Sequence, residues 1–195
     1  VKKIKEKYKD QIKINIGAEV DYIEGFEEEI KNNLNKYGEY LEDSILSVHM
    51  IKIEDKYYCM DFSCEEFEKI VNLLGSIESV YNLYYETLIK AINSDLGKYK
   101  PKRIGHLNLV RKYNKKFPYD YSNNKKLKEL VKLISDRGYE LDYNIAGLFK
   151  EDCGEIYISG YLEELIKQYN IKLVLGSDSH SAKYIDKYEE LNEHI

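Results

Sequence analysis

No stretch of this chain approaches the ~18 consecutive apolar residues of a membrane-spanning helix, and nothing at its start reads as a signal peptide, so no membrane partner is expected. The chain also lacks a basic surplus: its net charge is −5. Phosphate backbones require a basic surface, so nucleic acid is not an expected partner. The cysteines are three, an odd number, and Cys59, Cys64 and Cys153 have no metal-site spacing. They suit free thiols in a reducing cytosol, which implies a cytoplasmic protein. There is no internal repeat, linker or low-complexity segment, and 195 residues suffice for one domain, 1–195, with a real core. GEIYISG (154–160) has two glycines but no phosphate-loop pattern. Twenty tyrosines and no tryptophan, with many Lys and Asn, reflect codon usage more than function.

What is present is an alternation of short apolar runs and amphipathic stretches. IKINIGAEV (12–20), ILSVHMI (45–51), KRIGH (102–106), YELDYN (139–144) and IKLVLGS (171–177) read as five strands. Between them, helical spacing covers 24–37 (Phe26, Ile30, Leu34) and the segment after Ser63, whose capping box with Glu66 precedes Phe67, Ile70, Val71 and Leu74. A longer helix is predicted over about 77–93. Two more begin at Ser122 and Ser159, and the first of these stops at Gly138. Strand-then-helix order predicts an α/β fold with a parallel sheet, open or closed into a barrel.

Parallel strands place their C-terminal ends on one face, where barrels build active sites. Glu19 ends the first predicted strand, His49 the second and His106 the third. Asp178 and His180 follow the fifth. A single strand-end histidine is usually a hydrogen-bonded structural residue, but three of the chain's four fall at strand ends. His194 lies near the C-terminus and carries no role. A mixed set of imidazoles and carboxylates suits Zn, Mn or Fe. Such an ion generates a nucleophile from water at neutral pH and grips phosphoryl oxygens. In an extended segment Asp178 and His180 point the same way, as a chelate arm would. Lys112, Lys115 and Lys116 with Tyr113 read as a solvated loop.

Taken in order, GAEVDYIEGFEEEI, SILSVHMI, RIGHLNLVRKYN and GSDSH resemble the histidinol-phosphatases of the polymerase-and-histidinol-phosphatase (PHP) superfamily. The resemblance runs from about residue 12 to 185. It implies a distorted (β/α)7 TIM-like barrel, up to three divalent metal ions (Mn, Zn or Fe), and hydrolysis of L-histidinol phosphate in histidine biosynthesis. The family reaction is attack of a metal-bridged hydroxide on phosphorus. By resemblance, Glu19, His49, His106, Asp178 and His180 match metal ligands, with Asp178 and His180 also catalytic. Arg111 matches a residue that holds the substrate phosphate.

The chain departs from the family pattern at three places. Family members begin with a strand carrying H-x-H, followed by a further His and an acidic ligand. Here the chain starts at Val1 in what reads as a helix (KKIKEKYKD), so the barrel is expected to be incomplete at its N-terminus, with five ligands for one metal or two. Phe149 of GLFK stands where a second phosphate-gripping Arg is expected, and Lys150 is its candidate substitute. Asn108 stands where an Asp often follows in the family. Asn108 and Asn144 are expected beside the ligands rather than among them. Two other readings stay open: a PHP-like remnant or interaction module without catalysis, and a PHP phosphoesterase acting on another substrate. The sequence leaves oligomeric state undetermined.

Overall fold

A computed structural model describes residues 1–182. His194 and the end of the stretch carrying the resemblance lie outside the described residues. In chain order the elements are α1 (Lys2–Lys7), β1 (Glu19–Asp21), α2 (Glu27–Tyr37), β2 (Ile45–Ser47), β3 (Met50–Ile53), β4 (Lys56–Cys59), α3 (Cys64–Leu74), α4 (Ile77–Asn93), β5 (Arg103–Ile104), α5 (Lys125–Asp136), β6 (Glu140–Asn144), α6 (Gly160–Tyr169) and β7 (Leu173–Gly176). Five strands form one parallel sheet in the order β1-β2-β5-β6-β7, and β3 and β4 pair as a separate antiparallel hairpin. Among the described residues no pairing joins β1 to β7. No helix among these residues is long and apolar enough to cross a membrane.

The register explains the alternation in the strands. Val20, Leu46, Ile104, Leu141 and Leu173 are successive partners across the sheet. Leu46, Ile104 and Leu141 are fully buried in the core shared with the helices. Side chains alternate along a strand, so Glu19, Asp21, Ser47, Arg103, Glu140 and Asp142 occupy the opposite face. A parallel sheet covered by helices on both faces reads as continuous apolar runs. Here one face is polar, and that face carries the site.

The helices follow their sequence signals closely. Ser63 accepts the Glu66 N–H (3.2 Å) and Ser76 accepts the Ser79 N–H (3.1 Å), capping α3 and α4. Asn124, not Ser122, caps α5, its Oδ1 accepting the Leu127 N–H at 2.9 Å. The tyrosines of α4 are core: Tyr81, Tyr84 and Tyr85 are fully buried beside Val80, Leu88 and Ala91. Helices α3 to α6 pack side by side in chain order.

The strands are shorter than their apolar runs. Residues 16–18 run beside 42–44, but the N–H groups of Ile16 and Ala18 bond side chains rather than a ladder. Ile16 donates to the Glu42 carboxylate (2.8 Å) and Ala18 to Ser44 Oγ (3.1 Å). Gly17 is needed there, because a Cβ would overlap the carbonyl oxygen of Asp43. The expected strand 45–51 is two strands: β2 stops at Ser47, and Met50 opens the hairpin, whose turn holds Glu54 at φ +55°.

Leu88→Ala, which empties a fully buried site on α4, is expected to lower unfolding free energy by about 2–5 kcal/mol, measured by urea denaturation.

Candidate metal centre

The polar face of the sheet and the loops leaving it hold most of the predicted ligands. His49 and His106 lie two residues beyond the ends of β2 and β5. Glu19 opens β1 rather than ending it, and its side chain reaches both imidazoles. Glu19 Oε1 is 3.0 Å from His106 Nε2 and 3.6 Å from His49 Nε2. The imidazole rings meet edge to face at 4.8 Å. One donor atom from each of Glu19, His49 and His106 lies within 4.8 Å of the others. Ligands about 2.1 Å from a tetrahedral zinc ion stand about 3.4 Å apart. The observed separations and the mixed nitrogen and oxygen donors therefore fit a divalent cation.

The charges support one another. The hydrogen bond with His106, with smaller help from Ser47 and the His49 charge, holds the Glu19 carboxyl down at about 2 despite burial. His49 is raised above the usual imidazole value: burial opposes its charge, but the hydrogen bond to Asp21 and the charges of Asp21, Asp61 and Glu19 outweigh it. His106 is almost completely buried, and its Nδ1 has no partner among the described residues. Its backbone sits at φ +23°, and Asp178 at φ +52°. Positive φ is uncommon for non-glycine residues and gathers where a site is held under strain.

Asp178 and His180 stand apart from these three. The chain is not extended there: β7 ends at Gly176, and His180 Nδ1 lies 2.9 Å from the Asp178 carbonyl oxygen. His180 is mostly exposed. Asp178, His180, Lys150 and Phe149 line one cleft of about 300 Å³ with Ile145 and Ala146. Arg111 is elsewhere. Its Nε donates to Glu155, its guanidinium lies over the Tyr121 ring at 4.5 Å, and it lines a separate open cavity of about 590 Å³ with Lys115 and Tyr119.

The two asparagines are buried among their own partners. Asn108 Oδ1 accepts the Tyr85 hydroxyl at 2.7 Å. Asn144 donates to Asp142 (2.9 Å) and accepts the Ala146 N–H (2.9 Å). Asp142 is a buried carboxyl that burial pushes above its usual range, and a Cβ at Gly176 would overlap its carboxylate. Asp61 is held low against burial by Lys112, whose Nζ is 3.1 Å from Oδ2, and by His49. Sequence reasoning missed Asp21, Asp61 and Asp142. For Asp21 the signal was available: it lies two residues after Glu19, on the same face of β1.

Adding Zn²⁺ at about 100 times its Kd is expected to raise the melting temperature by about 5–10 °C, and EDTA to reverse it. His106→Ala should weaken Zn²⁺ binding more than about 100-fold, beyond the effect of an outer partner. In the metal-free chain Glu19 has a lowered pKa, so its stabilisation is complete above about pH 4.5 and fades as pH falls toward about 2. The melting-temperature gap between wild type and Glu19→Gln should therefore be widest above pH 4.5 and close on acidification.

Residues 1–146 match the family model of the PHP domain. The chain is 45% identical over 183 residues to a histidinol-phosphatase of Bacillus subtilis, covering 92% of this chain and 68% of that protein. It is 28% identical over 202 residues to a "Probable histidinol-phosphatase" of Schizosaccharomyces pombe, covering 100% of this chain and 61% of that protein. The crystal structure of the "putative histidinol phosphatase hisK" of Listeria monocytogenes superposes with a TM-score of 0.92 at 36% identity, covering 100% of this chain and 73% of that one. The five-stranded parallel sheet, the register of its polar face and these likenesses agree: the chain belongs to the PHP-domain histidinol-phosphatase family.

Proposed function

We propose that the chain carries the catalytic face of a metal-dependent phosphomonoesterase that cleaves L-histidinol phosphate to L-histidinol and phosphate. The observation that carries the reading is the 45% identity to the Bacillus histidinol-phosphatase over 92% of this chain. The Glu19, His49 and His106 donors, gathered within 4.8 Å, support the metal dependence.

Glu19, His49 and His106 would hold a divalent ion, Mn²⁺, Zn²⁺ or Fe²⁺, and Asp178 and His180, which line the cleft with Lys150, are the donors we assign to a further ion of the set. A bound ion of this kind supplies Lewis acidity and lowers the pKa of water to near neutrality. Lys150 is the cation we assign to the substrate phosphate, because it shares a cleft with Asp178 and His180. Arg111 is not assigned that role, because it lines a different cavity and pairs with Glu155. Asn144 spends its amide on Asp142 and Ala146, whereas Asn108 accepts the Tyr85 hydroxyl through Oδ1 and keeps a buried Nδ2 with no partner among the described residues. The buried Tyr157 ring backs one donor, meeting the His106 imidazole edge to face at 6.3 Å. A small phosphorylated substrate and a cytoplasmic setting belong to the same reading.

The test is phosphate release from L-histidinol phosphate by this chain, titrated with Mn²⁺, beside Asp178→Ala and His106→Ala. Release should saturate with metal and fall at least about 100-fold in each variant. No release above the two variants at any metal concentration would overturn the proposal for this chain.

A further inference from the structure

Asp21 closes β1 and, beyond favouring the charged His49 ring, is assigned no role in holding the ion above. Its Oδ1 accepts the backbone N–H of His49 at 3.1 Å and lies 3.2 Å from Nδ1 of the same residue. One carboxylate oxygen therefore fixes both the main chain and the ring of a candidate ligand. His49 needs such an anchor because it belongs to no strand: it sits in the gap between β2 and β3. Its carbonyl is held from the other side, accepting the Met60 N–H at 2.9 Å. The opposite ring nitrogen, Nε2, faces Glu19 Oε1 at 3.6 Å.

The proton inventory follows from these contacts. A carboxylate only accepts, so Nδ1 must carry the hydrogen that lies between it and Asp21. The neutral ring then keeps its lone pair on Nε2, the nitrogen beside Glu19 and His106. The hydrogen bond at one ring nitrogen sets which nitrogen is free to bind an ion, and a carboxylate partner also makes the ring a stronger donor. Without that partner the proton could settle on Nε2 and block it.

We infer that Asp21 is a positioning residue that locks His49 as its Nδ1–H tautomer, aims Nε2 at the Glu19–His106 pair, and raises metal affinity without touching the ion. The inference rests on the metal-centre reading above.

The experiment is a double-mutant cycle on Zn²⁺ affinity, read by competition with a chromophoric chelator. Wild type, Asp21→Ala, His49→Ala and the double variant are compared. Asp21→Ala should weaken binding about 10–100-fold. In the His49→Ala background the same change should cost less than about 2-fold, because a residue acting through His49 has nothing left to act on. Asp21→Asn keeps an acceptor oxygen and should recover most of the loss. Equal losses in both backgrounds would mean that Asp21 ligates the ion directly or acts independently of His49, and would overturn the inference. So would an Asp21→Ala variant that binds as tightly as wild type.

A second measurement needs no metal. In ¹⁵N-labelled chain at pH 9, where imidazole is neutral, long-range nitrogen–proton correlations should show His49 as the Nδ1–H tautomer, lost in Asp21→Ala. A wild-type Nε2–H tautomer would overturn the inference. A wild type that binds no Zn²⁺ would refute the metal-centre reading instead, and the tautomer would then decide the anchoring by itself.

Discussion

The parallel register of β1, β2, β5 and β6 is the constraint on which the rest of the molecule depends. It aligns Val20, Leu46, Ile104 and Leu141 in one lateral row. That row gives the helices a continuous apolar surface, and its burial is the main favourable term in folding. The same register leaves the other face of the sheet to Glu19, Asp21, Ser47 and Asp142. Carboxylates on a sheet are costly to bury unless each is paired or hydrogen-bonded. Glu19 meets His106, Asp21 meets His49, and Asp142 meets Asn144. The site is thus the set of partners that the polar face requires, gathered where the strands end.

Histidine serves two roles in this arrangement. Toward the fold, His49 and His106 satisfy carboxylates that would otherwise be stranded. Toward a ligand, the same rings present nitrogen donors around one oxygen of Glu19. A cation entering among them would take over the electrostatic task of the imidazole protons, so metal loading and carboxylate pairing are alternative solutions to one problem. Asp61, tied to Lys112 and within the field of His49, extends the charge balance one layer outward.

Much of this was legible in the sequence. Helix α3 announces itself through Ser63, and the apolar residues of α3 and α4 recur at helical spacing. The histidines could be placed at strand ends because each follows a short apolar run. Three features left weaker traces. The hairpin β3–β4 was hidden because alternation in ILSVHMI continues across the break at Val48 and His49. Residues 12–18 look like a strand, but Ile16 and Ala18 spend their N–H groups on Glu42 and Ser44, side chains far away in sequence. The turn at Asp178 leaves only a faint trace: a left-handed backbone is most often glycine, and aspartate tolerates it less readily, and here the residue is the candidate ligand itself. The expected chelate arm is therefore a bend, with His180 folded back on the Asp178 carbonyl.

That bend, and its counterpart at His106, set stability against function. A non-glycine residue held at positive φ costs on the order of 1–3 kcal/mol. Glycine at 178 would relieve that cost and erase a donor in the same step, whereas glycine at 106 would also strand the Glu19 carboxylate. Variants selected only for heat resistance would drift toward glycine at 178, and a library screened that way should be counter-screened for metal retention.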